Sequence, residues 1–279
     1  MKTIIAATDF SDASANAIAY AGQLANVLKA KLILFHVYHI PVISSEAPIV
    51  IPPLEEIEKS CLADLENSAK KIRSEISGKI DIECLCKCGF VNEELAEAVA
   101  GTKADLVVMG MQGAGYVGEA IIGSITTQFM KNAICPVLSI GEQVKFAPLK
   151  TIVLACDFKE KSDNKLFTPL KELALAFGSR LYVLNVVASA AVTIQAEDET
   201  EEDRVDFSLG AIDHSFHRIQ NQDLVEGIEH FATDKKANLL VMIPHRLSFF
   251  PGLFHKRTTK EMAFHTHMPL LTLPEPSAH

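Results

Sequence analysis

The chain has no tryptophan and four tyrosines among its 279 residues, so its own absorbance at 280 nm is weak and any carried chromophore would stand out. No apolar run reaches the ~20 residues that a membrane-spanning helix needs, and no membrane partner is expected. The N-terminus, MKTIIAATDF, has one basic residue and a short apolar run, but Asp9 cuts that run off before it reads as a secretory signal. Positive charge is scarce. With 26 Lys and Arg against 35 Asp and Glu, the net charge is −9, which argues against nucleic acid or an anionic membrane surface as the main partner. Six cysteines are spread along the chain without a secretory signal, so free thiols and a cytoplasmic location are expected. Catalytic signatures are missing too. There is no G-x-S-x-G elbow, no H-E-x-x-H, and no Ser-Gly-Gly loop after the first strand.

What is present is a chain that is 48% hydrophobic and 22% charged, suited to a packed core. Thr3 to Thr8 reads as a buried strand ending at Asp9. Ser11 is placed to cap a helix whose Ala17, Ile18, Ala21, Leu24, Ala25 and Leu28 recur at helical spacing. Leu32 to Val37 is a second strand, and Leu54 to Ile76 a helix with a charged outer face. Ile80 to Cys88 is a third strand, followed by a helix with Asn92 as its expected cap. Leu106 to Met109 and Pro136 to Ile140 are the fourth and fifth strands. Strands alternating with helices argue for a parallel α/β sheet with right-handed crossovers.

The pattern then repeats. Thr151 to Cys156 followed by Asp157 echoes Ile4 to Thr8 followed by Asp9; Leu181 to Val187 echoes Leu32 to Tyr38; ANLLVM at 237–242 echoes ADLVVM at 104–109; Pro269 to Leu273 echoes Pro136 to Ile140. The offset falls from 148 at Asp9/Asp157 to 133 at Met109/Met242, so the second copy is 148 − 133 = 15 residues shorter in its middle. The acidic run Glu197 to Asp203 lies there and reads as a solvated loop or helix start. Two domains are expected, 1–143 and 149–279.

The stretch from Asp105 to Ile125 carries the chemistry. After the fourth strand come Gly110, Gly113, Gly115 and Gly118, then Gly123, Ser124 and a helical pattern from Ile125. A strand, a glycine loop and a hydroxyl at a helix start make a phosphate cradle, because bare backbone can approach the ligand and the helix N-terminus favours an anion. Gly118 to Ser124 reads G-x-x-x-x-G-S, but Ser124 stands where a Walker loop needs Lys. Gly113, Gly115 and Gly118 read G-x-G-x-x-G, yet the match begins three residues past the strand and no acidic residue follows in 133–140 to hold a ribose. Gly110, Gly113, Gly123 and Ser124 fit G-x-x-G, nine residues, G-S, without slack.

In that third pattern the chain resembles the ATP-binding branch of the universal stress proteins, duplicated in tandem. The resemblance implies two five-stranded, mostly parallel α/β sheets with flanking helices, Rossmann-like and akin to the adenine nucleotide α-hydrolases. It implies that Thr8 and Asp9 lie beside the nucleotide, near ribose or a metal, and that Val37 meets adenine through its backbone. Gly110 and Gly113 would line ribose and phosphates, and Gly123, Ser124 and Ile125 would hold the phosphate chain. The implied ligand is ATP or another adenine nucleotide, with or without Mg²⁺. The last strands, Val137 to Ile140 and Leu270 to Leu273, could pair within the chain as a pseudo-dimer, and a homodimer is a further expectation. The segment 111–130 contains no Lys or Arg and adds Glu119, so backbone, Ser124 and any Mg²⁺ would have to hold a triphosphate. AMP or ADP could therefore be the resting ligand.

In the second copy Gly110, Gly113, Gly123 and Ser124 become Ile243, Arg246, Lys256 and Arg257, which removes the cradle. Other motifs read blandly. Cys84, Cys86 and Cys88 share one face of a strand but lack a zinc spacing. His214 with His217, and His265 with His267, read as surface histidines, and the basic group His245, Arg246, His255, Lys256 and Arg257 as a solvated patch. The function expected is a nucleotide-dependent binding or signalling module in stress response, with at most slow ATP hydrolysis. The alternatives are a weak ATPase, an NAD-binding enzyme, or a structural module with both sites empty.

Overall fold

The computed structural model describes residues 1–39, 53–111, 124–156, 164–187, 196–243 and 268–274. The first half runs β1 (Thr3–Ala7), α1 (Asp12–Leu28), β2 (Lys31–Tyr38), α2 (Leu54–Glu75), β3 (Ile82–Cys88), α3 (Val91–Thr102), β4 (Leu106–Met111), α4 (Ser124–Asn132) and β5 (Val137–Gly141). The second runs β6 (Thr151–Ala155), α5 (Thr168–Phe177), β7 (Arg180–Val187), α6 (Ala196–Leu209), β8 (His214–Gln220), α7 (Leu224–Asp234), β9 (Leu239–Met242) and β10 (Leu270–Thr272). The acidic run at 197–203 is thus helical, within α6.

Each half is a parallel sheet of five strands, with β1 between β2 and β4 and, in the second half, β6 between β7 and β9. The two sheets join edge to edge, because β5 and β10 pair antiparallel, Leu270 with Ser139 and Thr272 with Val137. The ten strands therefore form one sheet in the order β3-β2-β1-β4-β5-β10-β9-β6-β7-β8. The internal pairing of the last strands, expected from sequence, is observed. The strands are apolar on both faces, as doubly covered parallel strands must be. Ile4, Leu32, Leu106 and Leu138 pack on one face, and Ile5, Ile33, Val107 and Val137 on the other.

The repeat extends to single hydrogen bonds. The amides of Lys2 and Thr3 donate to Asp105 at 2.6 and 2.9 Å, and those of Lys150 and Thr151 to Asn238 at 3.1 and 3.0 Å. The Thr8 amide donates to Phe35 O and the Cys156 amide to Leu184 O, each at 2.9 Å. The side chains of His36 and Asn185 reach the carbonyls of Thr8 and Cys156 at 2.8 and 3.1 Å. Because a carbonyl only accepts, His36 carries its proton on Nδ1.

The chain between the halves is packed down. Asn16 of α1 donates to Gly141 O and Val144 O at 2.9 and 2.8 Å. Phe146 bridges the halves, its ring 5.1 Å from Tyr20 of α1 and 6.3 Å from Phe177 of α5.

Three details differ from expectation. Asn92 does not cap α3. The helix begins two residues earlier than that cap would set, with Phe90 at the cap position, because Gly89 at φ +156° makes the turn and Phe90 O accepts from the amides of Glu93 and Glu94. The Asn92 Oδ1 is then buried without a partner among the described residues. Gly110 is a strand residue, not the first of a loop, since β5 continues far enough to pair Ile140 with it. β3 starts at Ile82, where pairing with Leu32 begins.

Phe146→Ala should cost about 2–3 kcal/mol, toward the low end for Phe→Ala because the ring is only half-buried. Thermal unfolding followed separately in each half checks this, and the loss should also separate the two transitions.

Candidate functional site

The strand order reverses between β1 and β4. From β1 the chain moves outward to β2 and β3, then returns across the sheet to β4. In such sheets the crevice past the carboxyl ends of the two central strands is open to a ligand. Here it is a cavity of about 170 Å³ lined by residues from β1, α1, β2, α3, β4 and α4.

Five of the expected residues meet in it: Thr8, Asp9, Val37, Gly110 and Ile125. Ser124 opens α4, and nothing is described of its side chain. Gly113 and Gly123 lie outside the described residues.

The α1 end of the cavity is a hydroxyl network. Ser11 caps α1, its Oγ accepting from the Ser14 amide at 3.3 Å. The Asp9 carboxylate accepts from the Ser11 amide at 3.1 Å and from Ser11 Oγ at 2.5 Å. Thr8, almost wholly buried, shares a hydrogen bond of 2.9 Å with Ser14 Oγ. Partial burial pushes the Asp9 carboxyl up, but the hydrogen bonds from Ser11, Ser14 and the backbone outweigh it and hold the carboxyl below its ordinary 3.8. Asp9 is thus an anion with a structural task, a weak base, and still exposed on its remaining face.

β2 runs past the last pair with β1, Ala7 with Phe35. Phe35 presents its carbonyl toward β1, where the Thr8 amide takes it. With the two-residue period of a strand, Val37 turns its N–H and C=O the same way, beyond the end of β1 and into the crevice. A donor and an acceptor are thereby offered side by side from buried backbone.

Opposite stands the start of α4, whose first amides have no helical partner. Thr126 Oγ1 donates to Gly110 O at 3.1 Å, which fixes the helix N-terminus over the end of β4. No Lys or Arg lines the cavity among the described residues.

Gly110 has a reason of its own to be glycine. A Cβ there would lie 2.9 Å from the backbone of Ala13 and Ser14. No such contact is tolerated, so the first turn of α1 can lie against β4 only because the side chain is missing. In the second half Ile243 takes that position, fully buried. There α5 begins at Thr168, 168 − 157 = 11 residues past Asp157, whereas α1 begins 12 − 9 = 3 residues past Asp9. Between them Asn164–Phe167 is 3-10 rather than α-helical.

Ser14, Thr126 and Val91 also line the cavity and were not singled out from sequence. Ser14 was legible as the third residue after the cap, and Thr126 as the hydroxyl two places past Ser124. Val91 carried no signal. The other motifs bring no site together. Cys84, Cys86 and Cys88 range from half-buried through buried to exposed, and none of the six cysteines is in a disulfide. Burial pushes the Cys84 and Cys86 thiols up to about 11 and about 12. Among the described residues no three His, Cys, Asp or Glu are grouped to hold a metal. The groups 245–257 and 265–267 lie outside the described residues.

Gly110→Ala should destabilise the chain by about 1–3 kcal/mol through displacement of α1, read by denaturant unfolding. Asp9→Asn should lower stability at neutral pH. A depressed carboxyl stabilises above its unfolded pKa and loses that contribution as pH falls through the folded value, so the gap to the parent chain should close below about pH 3.8.

The profile of the universal stress protein family matches residues 1–140 and again 148–274. A universal stress protein of Thermus aquaticus is 35% identical over 143 residues, covering 50% of this chain and 98% of that one. One from Methanocaldococcus jannaschii is 30% identical over 145 residues, 52% of this chain and 84% of its own length. The crystal structure of an Archaeoglobus fulgidus universal stress protein superposes with a TM-score of 0.71, covering 98% of both chains at 16% identity, a likeness of fold across both halves. No helix among the described residues is long and apolar enough to cross a membrane. With the family profile matched in each half and the architecture shared end to end, the chain belongs to the universal stress protein family as a tandem member.

Proposed function

We propose that the first half binds an adenine nucleotide and that its occupancy governs a binding or signalling role in stress response. The observation that carries this reading is the convergence on one crevice of two backbone features, the outward-turned N–H and C=O of Val37 and the start of α4 pinned over Gly110 by Thr126. A paired backbone donor and acceptor suits the hydrogen-bonding edge of adenine. A free helix N-terminus suits phosphate. The Asp9 carboxylate, between them, suits a ribose hydroxyl. The described walls enclose about 170 Å³, below the roughly 300–1,000 Å³ of a complete ligand pocket.

Mg²⁺ does not fit as a resident ion, because Asp9 is the one carboxylate lining the described cavity and it is engaged by Ser11. A metal would arrive with the phosphates. Hydrolysis has no support in the described residues. Asp9 is a weak base, and no Lys or Arg stands ready to stabilise a transferring phosphoryl group. The ligand would be held rather than turned over.

The test is acid release and chromatography of nucleotide from freshly purified protein, with added ATP, ADP and AMP titrated into the stripped chain. Adenine nucleotide should be released or bound, and Thr126→Val should weaken it about fivefold for the one hydrogen bond that positions α4. A chain that carries none and binds none, with or without Mg²⁺, would contradict the reading.

A further inference from the structure

The internal repeat permits a position-by-position comparison of the two halves away from the nucleotide crevice, at the outer strands. Register fixes the equivalences. Thr3 pairs with Lys31 and Thr151 with Arg180, while Leu32 pairs with Ile82 and Leu181 with His214. Arg180 therefore stands where Lys31 stands, Tyr182 where Ile33 does, Ser215 where Glu83 does, and His217 where Leu85 does. The helices α3 and α7 are both followed by a Lys at positive φ, Lys103 at +54° and Lys236 at +53°, which aligns Lys235 with Thr102 and Phe231 with Ala98.

In the first half the cation at the Arg180 position is neutralised. Lys31 Nζ lies 2.5 Å from Glu83 Oε2. In the second half the carboxylate is gone, replaced by the Ser215 hydroxyl, and two further nitrogen groups have been added around an aromatic floor. The Arg180 guanidinium is 5.4 Å from the centre of the Tyr182 ring. Lys235 Nζ is 5.8 Å from the same ring and 5.3 Å from Phe231. The His217 ring is 5.3 Å from Tyr182 and 5.2 Å from Phe231, and its Nε2 is 2.9 Å from Ser215 Oγ. The one carboxylate paired with these groups among the described residues is Asp234, 3.1 Å from Lys235 and largely exposed. In a chain of net charge −9, Arg180 on β7, His217 on β8 and Lys235 just past α7 are gathered around these rings, and the acid that the first half has at Glu83 is absent.

We propose that Arg180, Lys235, His217 and Ser215 form an anion site in the second half, and that its ligand class is a phosphate monoester. The donor set selects that class. A guanidinium fork takes two oxygens of an oxyanion, and an ammonium, a hydroxyl and a protonated imidazole add donors from other directions. A tetrahedral phosphate can satisfy them together, whereas a carboxylate has only two oxygens. The aromatic floor holds the long cations in place through ring contacts, which lessens the ordering that binding must impose. His217 now sits below its ordinary value, first because of burial and then because of Lys235 and Arg180. The groups facing it are Lys235 just past α7, Arg180 from β7 and Ser215 beside it on β8, with Asp234 paired to Lys235. A bound dianion would reverse the effect of the two cations and draw a proton onto the ring. This site is separate from the nucleotide crevice and does not depend on it.

The experiment titrates inorganic phosphate into the full chain and follows the histidine ring signals by NMR, with His217 assigned by its loss in His217→Asn. The His217 signals should move saturably toward the protonated position. Chloride at matched ionic strength should not reproduce this. Ser215→Glu, which restores the acid of the first half, should weaken binding about tenfold or more while leaving the fold intact, as judged by the remaining histidine signals. Phosphate bound in the crevice would leave His217 unmoved and be indifferent to Ser215→Glu, so the two sites are read apart. A linear, unsaturated shift shared with chloride, or saturable binding unchanged in Ser215→Glu, would overturn the assignment.

Discussion

The approach of helix α1 to strand β4 is the contact on which the site depends. At Gly110 the backbones of strand and helix are so close that a methyl group would stand 2.9 Å from Ala13 and Ser14. Because they meet there, α1 can begin three residues after Asp9, and Ser11 can cap it while binding the Asp9 carboxylate. The same strand residue receives Thr126 through its carbonyl, which sets the start of α4. One missing side chain thus positions two helix N-termini about one crevice. Where Ile243 replaces it, the corresponding helix starts later, and a 3-10 turn precedes it.

The halves share their framework down to equivalent hydrogen bonds and differ at their ligand-facing positions. The antiparallel β5–β10 seam closes what would otherwise be an exposed edge in each half. Phe146 and Asn16 tie the connecting chain to both neighbours. A duplicated fold with one copy lacking the glycine cradle is free to carry other surface chemistry. The exchange of Glu83 for Ser215 and of Leu85 for His217 is such a change, made on strands whose register is unaltered.

Much of the fold was legible because both signals behind it are local. Apolar runs such as Leu106 to Met109 mark parallel strands, and the recurrence of ADLVVM as ANLLVM marks the duplication. The central pairing of β1 with β4 came from resemblance, since periodicity says nothing of strand order. The α3 cap was misread because Asn92 is a good capping type, whereas the helix start was decided by the turn at Gly89. Thr8, Asp9, Val37, Gly110 and Ile125 line one crevice, but the sequence held no hint that Gly110 serves helix packing. Nor did it reveal the cluster about Tyr182. Arg180, His217 and Lys235 are far apart in the chain and meet only through register.

If the first half binds nucleotide as proposed, bare backbone at Gly110 permits one site per chain, and the second half, with all four cradle positions changed, adds none. Calorimetric titration of nucleotide-free protein with ATP and Mg²⁺ measures that number directly. The account predicts a single class of sites at one per chain, abolished by bulk at Gly110 and indifferent to Ile243→Ala. Two equivalent sites, or one that survives Gly110→Ile, would contradict it.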